Sequence, residues 1–136
     1  MSEESVIVEE DVKEELPLLT FNALYNILRE EKKSKSLQKY PNLFYEALEK
    51  FIIDRKQIIK NQQDQSKRKK EQNILNSATK ISQEIITLRS HKIAKIATSN
   101  ALSENNILDE GYILPEEEEL HQVFTKQVQK LIKKIQ

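Results

Sequence analysis

Hydrophobic residues recur every three or four positions in four stretches of this chain, which is the spacing of amphipathic helices. The first stretch follows Thr20, a residue type whose side-chain oxygen caps helix starts. The second follows Pro41, which suits a first helical turn because its missing N–H would have no partner there. The stripes predicted to face a core contain Phe21, Leu24, Tyr25, Leu28, Phe44, Ala47, Leu48, Phe51, Ile52, Ile58 and Ile59.

The middle of the chain begins with fourteen residues, 60–73, that include no hydrophobic residue. Neither proline nor glycine interrupts them, so an exposed helix and a polar linker both fit. The third stretch follows as a heptad-like seam that is too short for a long coiled coil. The seam consists of Ile74, Ala78, Ile81, Ile85 and Leu88.

Part of this seam is a candidate protein interface. We select Ile74, Ile81 and Leu88, because the repeat is more regular than a short bundle requires. The alternative, that the same side chains form an intramolecular core, fits the pattern equally well.

The last stretch begins at Pro115, after a segment with Asn105, Asn106 and Gly111 that indicates a loop. Four consecutive glutamates after Pro115 suit the positive end of a helix dipole, and lysines near the chain end suit its negative end. The apolar face predicted for this helix contains Leu120, Val123, Phe124, Val128, Leu131, Ile132 and Ile135.

Four such helices bury their stripes most readily against one another, so we predict an all-α fold, a helical bundle of about four main helices. The composition agrees, since 38% of the residues are hydrophobic, 32% are charged and only 6% are aromatic. We divide the chain into an acidic N-terminal segment, residues 1–19, and a helical domain, residues 20–136.

Composition also restricts the available chemistry. The chain has no cysteine for a thiolate zinc site or a thiol nucleophile, and its single glycine cannot build a phosphate-binding loop. Glu118 and His121 have the Glu-x-x-His spacing of a di-metal bundle site, but Leu88 stands where His91 would need a matching carboxylate. We therefore predict a protein that is not an enzyme, with no catalytic, cofactor-binding or metal site.

Charge is unevenly distributed, although 22 basic and 22 acidic residues balance. The densest basic run is Lys67, Arg68, Lys69 and Lys70, which is a candidate nucleic-acid contact because lysine and arginine neutralise phosphates. No aromatic residue within ten positions could stack on a base, so a solvated helix face is the alternative. We expect direct DNA binding to be weak.

No hydrophobic run approaches the roughly 20 residues that cross a bilayer. The acidic start of the chain also lacks the basic and apolar parts of a signal peptide. We therefore expect a cytoplasmic protein without membrane contact.

Two blocks of the sequence resemble a known family. The segment TFNALYNILREEKKSKSLQKYPNLFYEALEKFI, residues 20–52, is similar to the start of archaeal GINS subunits that begin with their helical domain. The segments RSHKIAKIATSNA, residues 89–101, and ILPEEEELHQVFTKQV, residues 113–128, resemble later helices of that domain. The second block's patterns are carried by Arg89, Lys92, Ile93, Ile96, Ala97, Leu114, Pro115, Glu116, Glu119 and Leu120.

The resemblance implies a function in DNA replication. Such a GINS subunit is a non-catalytic, nucleoid-associated member of a hetero-oligomer, a tetramer with a sister subunit, that links the MCM helicase to a RecJ-like protein. Members usually continue into a small β-rich domain, whereas this sequence ends at Gln136, so we expect a truncated member or one that lacks this domain. The alternative function is a small helical nucleic-acid-binding protein that uses residues 67–70.

Overall fold

The computed structural model describes residues 16–103 and 112–136, and in these ranges it contains four helices and no strand. The helices are α1 (Phe21–Lys33), α2 (Phe44–Asn61), α3 (Gln65–Ser103) and α4 (Pro115–Lys133). The 39-residue α3 is the central element, because each of the other three helices packs against it. The prediction of an all-α helical bundle is confirmed.

Helix α1 starts where its capping residue predicts. The Thr20 hydroxyl oxygen accepts a hydrogen bond from the backbone N–H of Ala23 at 3.1 Å, which satisfies one of the free donors at the helix start. Leu24 and Leu28 are buried as predicted. Tyr25 is half exposed, so the prediction that it faces the core is wrong.

Helix α2 begins at Phe44, three residues later than the proline suggested. Pro41 lies in the preceding turn, where its carbonyl oxygen accepts from the Phe44 N–H at 3.0 Å. The predicted core positions Phe44, Ala47, Leu48 and Phe51 are buried. Ile58, two turns beyond Phe51, is exposed, so its predicted core position is wrong.

The polar stretch 60–73 is mostly an exposed helix, with a short break between α2 and α3. Asp64 caps the new helix, since its Oδ1 accepts from the N–H groups of Ser66 at 2.9 Å and Lys67 at 3.3 Å. An ion pair between Arg55 and Glu71, 2.6 Å between Nη1 and Oε2, links the two helices beside this break.

The hydrophobic core lies where α1 and α2 meet the first half of α3. Tyr40 and Phe44 pack together in it with ring centroids 4.8 Å apart and ring planes tilted by 45°. Leu114, just before α4, closes the same cluster. The buried members are Leu24, Leu28, Tyr40, Phe44, Leu48, Phe51, Ala78, Ile81, Ile85 and Leu114.

Helix α4 is rotated relative to the prediction. Its packed side carries the buried Glu117 and His121, while the apolar side expected to face the core is largely exposed. Buried polar groups on α3 cause this rotation, because they need hydrogen-bonding partners. Leaving these groups unpaired costs more free energy than exposing aliphatic side chains of α4. The core prediction is therefore wrong for Leu120, Val123, Phe124, Leu131 and Ile135.

The acidic residues 1–15 and most of the predicted loop, residues 104–111, lie outside the described residues. None of the helices that the structure describes combines the length and hydrophobicity of a membrane span.

Candidate functional site: a buried ion cluster around Arg89

Arg89 lies in the middle of α3 with its side chain fully buried. Its guanidinium has five N–H donors, and all five are used. Nε and Nη2 donate to the two carboxylate oxygens of Glu117 at 2.6 and 2.8 Å, in the paired geometry that arginine forms with carboxylates. Nη1 donates to Glu31 Oε1 at 3.0 Å and to the Gln38 carbonyl oxygen at 2.9 Å. Nη2 also donates to the Tyr112 carbonyl oxygen at 2.7 Å.

The cluster joins parts of the chain that are far apart in sequence. Glu31 is in the last turn of α1, and Glu117 is in the first turn of α4. The Gln38 and Tyr112 carbonyl oxygens belong to the segments before α2 and α4. One side chain of the central helix therefore fixes two helices and two connecting segments.

Lys92, one turn after Arg89, is the second cation of the cluster. Its ammonium donates to Glu31 Oε2 at 2.5 Å, to the Glu31 carbonyl oxygen at 2.7 Å and to the Ser36 carbonyl oxygen at 3.0 Å. These three bonds use all the donors of a lysine ammonium. Lys92 therefore holds the C-terminal end of α1, where its charge also suits the helix dipole.

Two tyrosines complete the cluster. The Tyr40 hydroxyl donates to Glu31, and the Tyr45 hydroxyl donates to Glu117 Oε2 at 2.8 Å. The Arg89 guanidinium also lies over the Tyr40 ring, 4.4 Å from its centroid, at a distance that allows a cation–π interaction. Each carboxylate thus accepts hydrogen bonds from a tyrosine and from Arg89.

Two carboxylates and two cations make the cluster electrically neutral, which is the condition for burying charges at tolerable cost. Burial acts to raise the pKa of Glu31, but hydrogen bonds from Lys92, Tyr40 and Arg89 outweigh it and lower the pKa below 4.5. Burial, reinforced by Glu31, raises the pKa of the Tyr40 hydroxyl. Burial and Glu117 raise the pKa of Tyr45 in the same way.

The arrangement is suited to holding helices together. Among the described residues, no buried side-chain nitrogen or oxygen lacks a hydrogen-bond partner. The donors of Arg89 and Lys92 are saturated by the chain itself, so the cluster fixes the positions of α1 and α4 on α3. Sequence patterns do not indicate a buried polar role for any member of the cluster. The available signal is Arg89 itself, which stands at four-residue spacing between the buried Ile85 and Ile93.

A second buried polar contact lies further along the same helix pair. The Asn100 amide nitrogen is 3.1 Å from His121 Nε2, and both side chains are buried. Glu118, three residues before His121, is exposed, so the two residues of the Glu-x-x-His step point to different surroundings. Within residues 16–103 and 112–136, no group of three or more histidine, aspartate or glutamate side chains is arranged so that it could hold a metal ion.

The predicted basic run, Lys67, Arg68, Lys69 and Lys70, lies in the first turns of α3 and is exposed throughout. The Arg68 side chain bends back to donate to the Gln62 carbonyl oxygen, from Nε at 2.9 Å and from Nη2 at 2.6 Å. The structure therefore keeps these charges together at one end of the longest helix.

The three residues of the predicted interface lie in different surroundings. Ile81 is a member of the core and Leu88 packs against it, which matches the intramolecular alternative for these two side chains. Ile74 is partly exposed. Their use as an interface between subunits stays a prediction.

Several apolar side chains that the sequence assigned to the core are exposed along α4 and just after its last residue, beside the face that packs on α3. We call this set the α4 stripe and define it as Leu120, Val123, Phe124, Leu131 and Ile135. Exposed fractions range from 36% for Phe124 to 86% for Ile135. A helix of a globular domain normally turns such residues inward, so this stripe is a second candidate site, suited to contact with protein.

Comparison with known proteins gives no relative from which a function could be transferred. No protein family, no curated protein and no solved structure matched this chain.

Proposed function

We propose that this chain is a non-catalytic, GINS-like subunit of a replicative helicase complex, and that it works by holding partner proteins in position. The observation that carries this proposal is that the segments resembling GINS subunits contact one another around Arg89. Glu31 and Tyr40 come from the first block, Arg89 and Lys92 from the second, and Glu117 from the segment after Leu114 and Pro115.

This convergence matters because the motifs are individually simple. Patterns of leucine, lysine and glutamate recur in unrelated helical proteins, so each block alone is weak support. A buried network formed by side chains from all three segments of the two blocks gives these blocks a common physical purpose. The blocks therefore support one helical domain with a shared polar centre.

The same network supports a scaffolding function. Buried, saturated ion pairs fix the helices relative to one another, and that rigidity lets an outer surface keep one shape for its partners. The proposed partners are a sister GINS subunit within a tetramer, the MCM helicase and a RecJ-like protein. We propose that assembly with these partners brings the chain to the nucleoid.

The test is reconstitution. The chain is co-expressed with an archaeal GINS sister subunit, and the mass of the purified complex is measured by light scattering. The proposal expects a stable hetero-oligomer that retains MCM and a RecJ-like protein in pull-down experiments. A variant with Lys67, Arg68, Lys69 and Lys70 changed to glutamine is the control and should assemble equally well. Elution of the chain separately from every candidate subunit would contradict the proposal.

A second candidate function is weak nucleic-acid binding, favoured by the full exposure of the basic run at the start of α3. Phosphate contacts would make affinity fall steeply with salt. Fluorescence anisotropy with a labelled DNA duplex tests this, using the glutamine variant of residues 67–70. The matched control changes the exposed Lys33, Lys35, Lys39 and Lys56 to glutamine, which removes the same charge from other parts of the chain. Equal loss in both variants would exclude a specific role for the run.

A further inference from the structure

Three residues of the α4 stripe, Leu120, Phe124 and Leu131, have the spacing of a helix-pairing seam when the exposed Gln127 is included. Leu120, Phe124, Gln127 and Leu131 follow one another in steps of four, three and four, and all four are exposed. This is the alternation with which one helix packs its side chains between those of another. The stripe lies beside the face that packs on α3, so a partner could reach it without displacing the domain's own contacts.

Acidic and basic residues are segregated to opposite ends of α4. Glu116, Glu118 and Glu119 are exposed in the first turns, and the basic residues are confined to the second half of the helix. The basic residues that follow are Lys126, Lys130, Lys133 and Lys134. The acidic end of one α4 is therefore complementary to the basic end of another.

We propose that the α4 stripe is covered by the α4 stripe of a second copy of this chain, with the two helices antiparallel. A two-fold contact requires a patch that is complementary to itself, and α4 satisfies this requirement in both hydrophobicity and charge. A parallel pair would instead set glutamates beside glutamates and lysines beside lysines, which is repulsive.

The seam fixes the register of this pair. Leu120 of one copy lies opposite Leu131 of the other, and Phe124 lies opposite Gln127. The first-turn glutamates then face the segment that contains Lys133 and Lys134. Both ends of the contact therefore combine an aliphatic layer with an opposite-charge pair. This proposal is independent of the GINS assignment, because it concerns the purified chain alone.

Disulfide trapping tests the orientation cleanly, because the natural chain has no cysteine. Leu120→Cys and Leu131→Cys variants are prepared with tags of different size, then oxidised separately and together. In an antiparallel pair of two Leu120→Cys chains, the introduced thiols would be about 16 Å apart along the axis, from a rise of about 1.5 Å per residue, which is too far for a disulfide. We expect crosslinking only in the mixture, reversed by reductant.

A matched control is Gln122→Cys, an exposed position on the opposite side of the same helix, which should not crosslink. Sedimentation of the natural chain should show a dimer, and Phe124→Glu should convert it to a monomer with unchanged helix content by circular dichroism. A natural chain that stays monomeric at its highest soluble concentration would overturn the proposal. Crosslinking of Leu120→Cys with itself would overturn it in favour of a parallel pair, and a dimer without trapping in the mixture would place the contact elsewhere.

Discussion

Arg89 and Glu117 form a two-pronged ion pair across 28 positions of the chain, with Nε to Oε2 at 2.6 Å and Nη2 to Oε1 at 2.8 Å. The same Glu117 Oε1 also accepts from the N–H of Leu114, the residue before α4, at 3.0 Å. The Glu117 carboxylate therefore both caps the start of α4 and holds α4 against α3. This double use explains why the first turn of α4 turns a charged residue inward.

Replacing Arg89 by Met should destabilise the domain strongly. The methionine fills much of the space but leaves Glu117 without its cation and Glu31 with only Lys92, a loss of about 3–5 kcal/mol for a broken buried pair. Urea unfolding followed by circular dichroism measures it. Arg89→Lys is the comparison variant and should recover only part of the loss, because an ammonium cannot supply the paired donors. A change below about 1 kcal/mol for Arg89→Met would contradict this role.

Glu117 and Glu118 offer a matched pair of substitutions in the same turn. Glu117→Gln replaces a buried carboxylate that accepts four hydrogen bonds, and should cost about 2 kcal/mol or more in unfolding free energy. Glu118→Gln makes the same charge change at an exposed position and should stay within about 0.5 kcal/mol. Equal effects, measured by urea unfolding, would show that helix-dipole charge rather than the cluster decides stability here.

The lowered pKa of Glu31 predicts a loss of stability in acid. The folded-state pKa lies below the unfolded value of 4.5, so the contribution is fully present above 4.5 and is lost as the pH falls through the folded pKa. Urea unfolding at a series of pH values from about 7 down to about 3 measures it. Glu31→Gln should be less stable than the natural chain at neutral pH and should lose less on acidification. Parallel curves for the two proteins would refute this linkage.

Glu116 is predicted to act in the opposite direction. Glu116 is largely exposed, but the small desolvation of its carboxyl raises its pKa above 4.5, and a hydrogen bond with the Glu46 carboxylate adds to the rise. The favourable contribution of the protonated form exists below pH 4.5 and is lost as the pH rises through the folded pKa, so the charge is unfavourable at neutral pH. Glu116→Gln should raise the melting temperature at neutral pH and have little effect at about pH 4. Glu119→Gln, at an exposed position close by, is the control, and an equal rise there would refute the specific Glu46 contact.

The cap of α3 gives a smaller expected effect. Asp64→Ala removes the acceptor for two free N–H groups and one negative charge beside the basic run, at a cost of about 1 kcal/mol. Gln63→Ala, at the neighbouring exposed position, should be nearly neutral. Thermal unfolding by circular dichroism compares them. Equal melting temperatures for the two variants would show that Asp64 does not act as a cap.

Periodicity predicted the helices because burial of apolar stripes sets their positions. Thr20 marked the start of α1 and Pro115 the start of α4, since capping and proline chemistry act locally. The rotation of α4 was not predictable in this way. It depends on Arg89 and Asn100, which are distant in sequence and demand polar partners only after burial. The hydrophobic pattern alone therefore predicted the wrong side of α4 to face the core.

The members of the cluster were hidden for a related reason. Glu31 and Glu117 sit among other glutamates, and nothing in a run of identical residues shows which one turns inward. Two further acceptors, at Gln38 and Tyr112, are backbone carbonyls, which carry no sequence signal at all.

The guanidinium of Arg89 also makes the attachment of α1 and α4 mutually dependent. If either helix detaches, a buried cation keeps only part of its counter-charge, and the remaining contacts must be rehydrated or lost. The domain should consequently come apart in a single all-or-none step, without a populated intermediate in which one outer helix has peeled away and the rest stays folded.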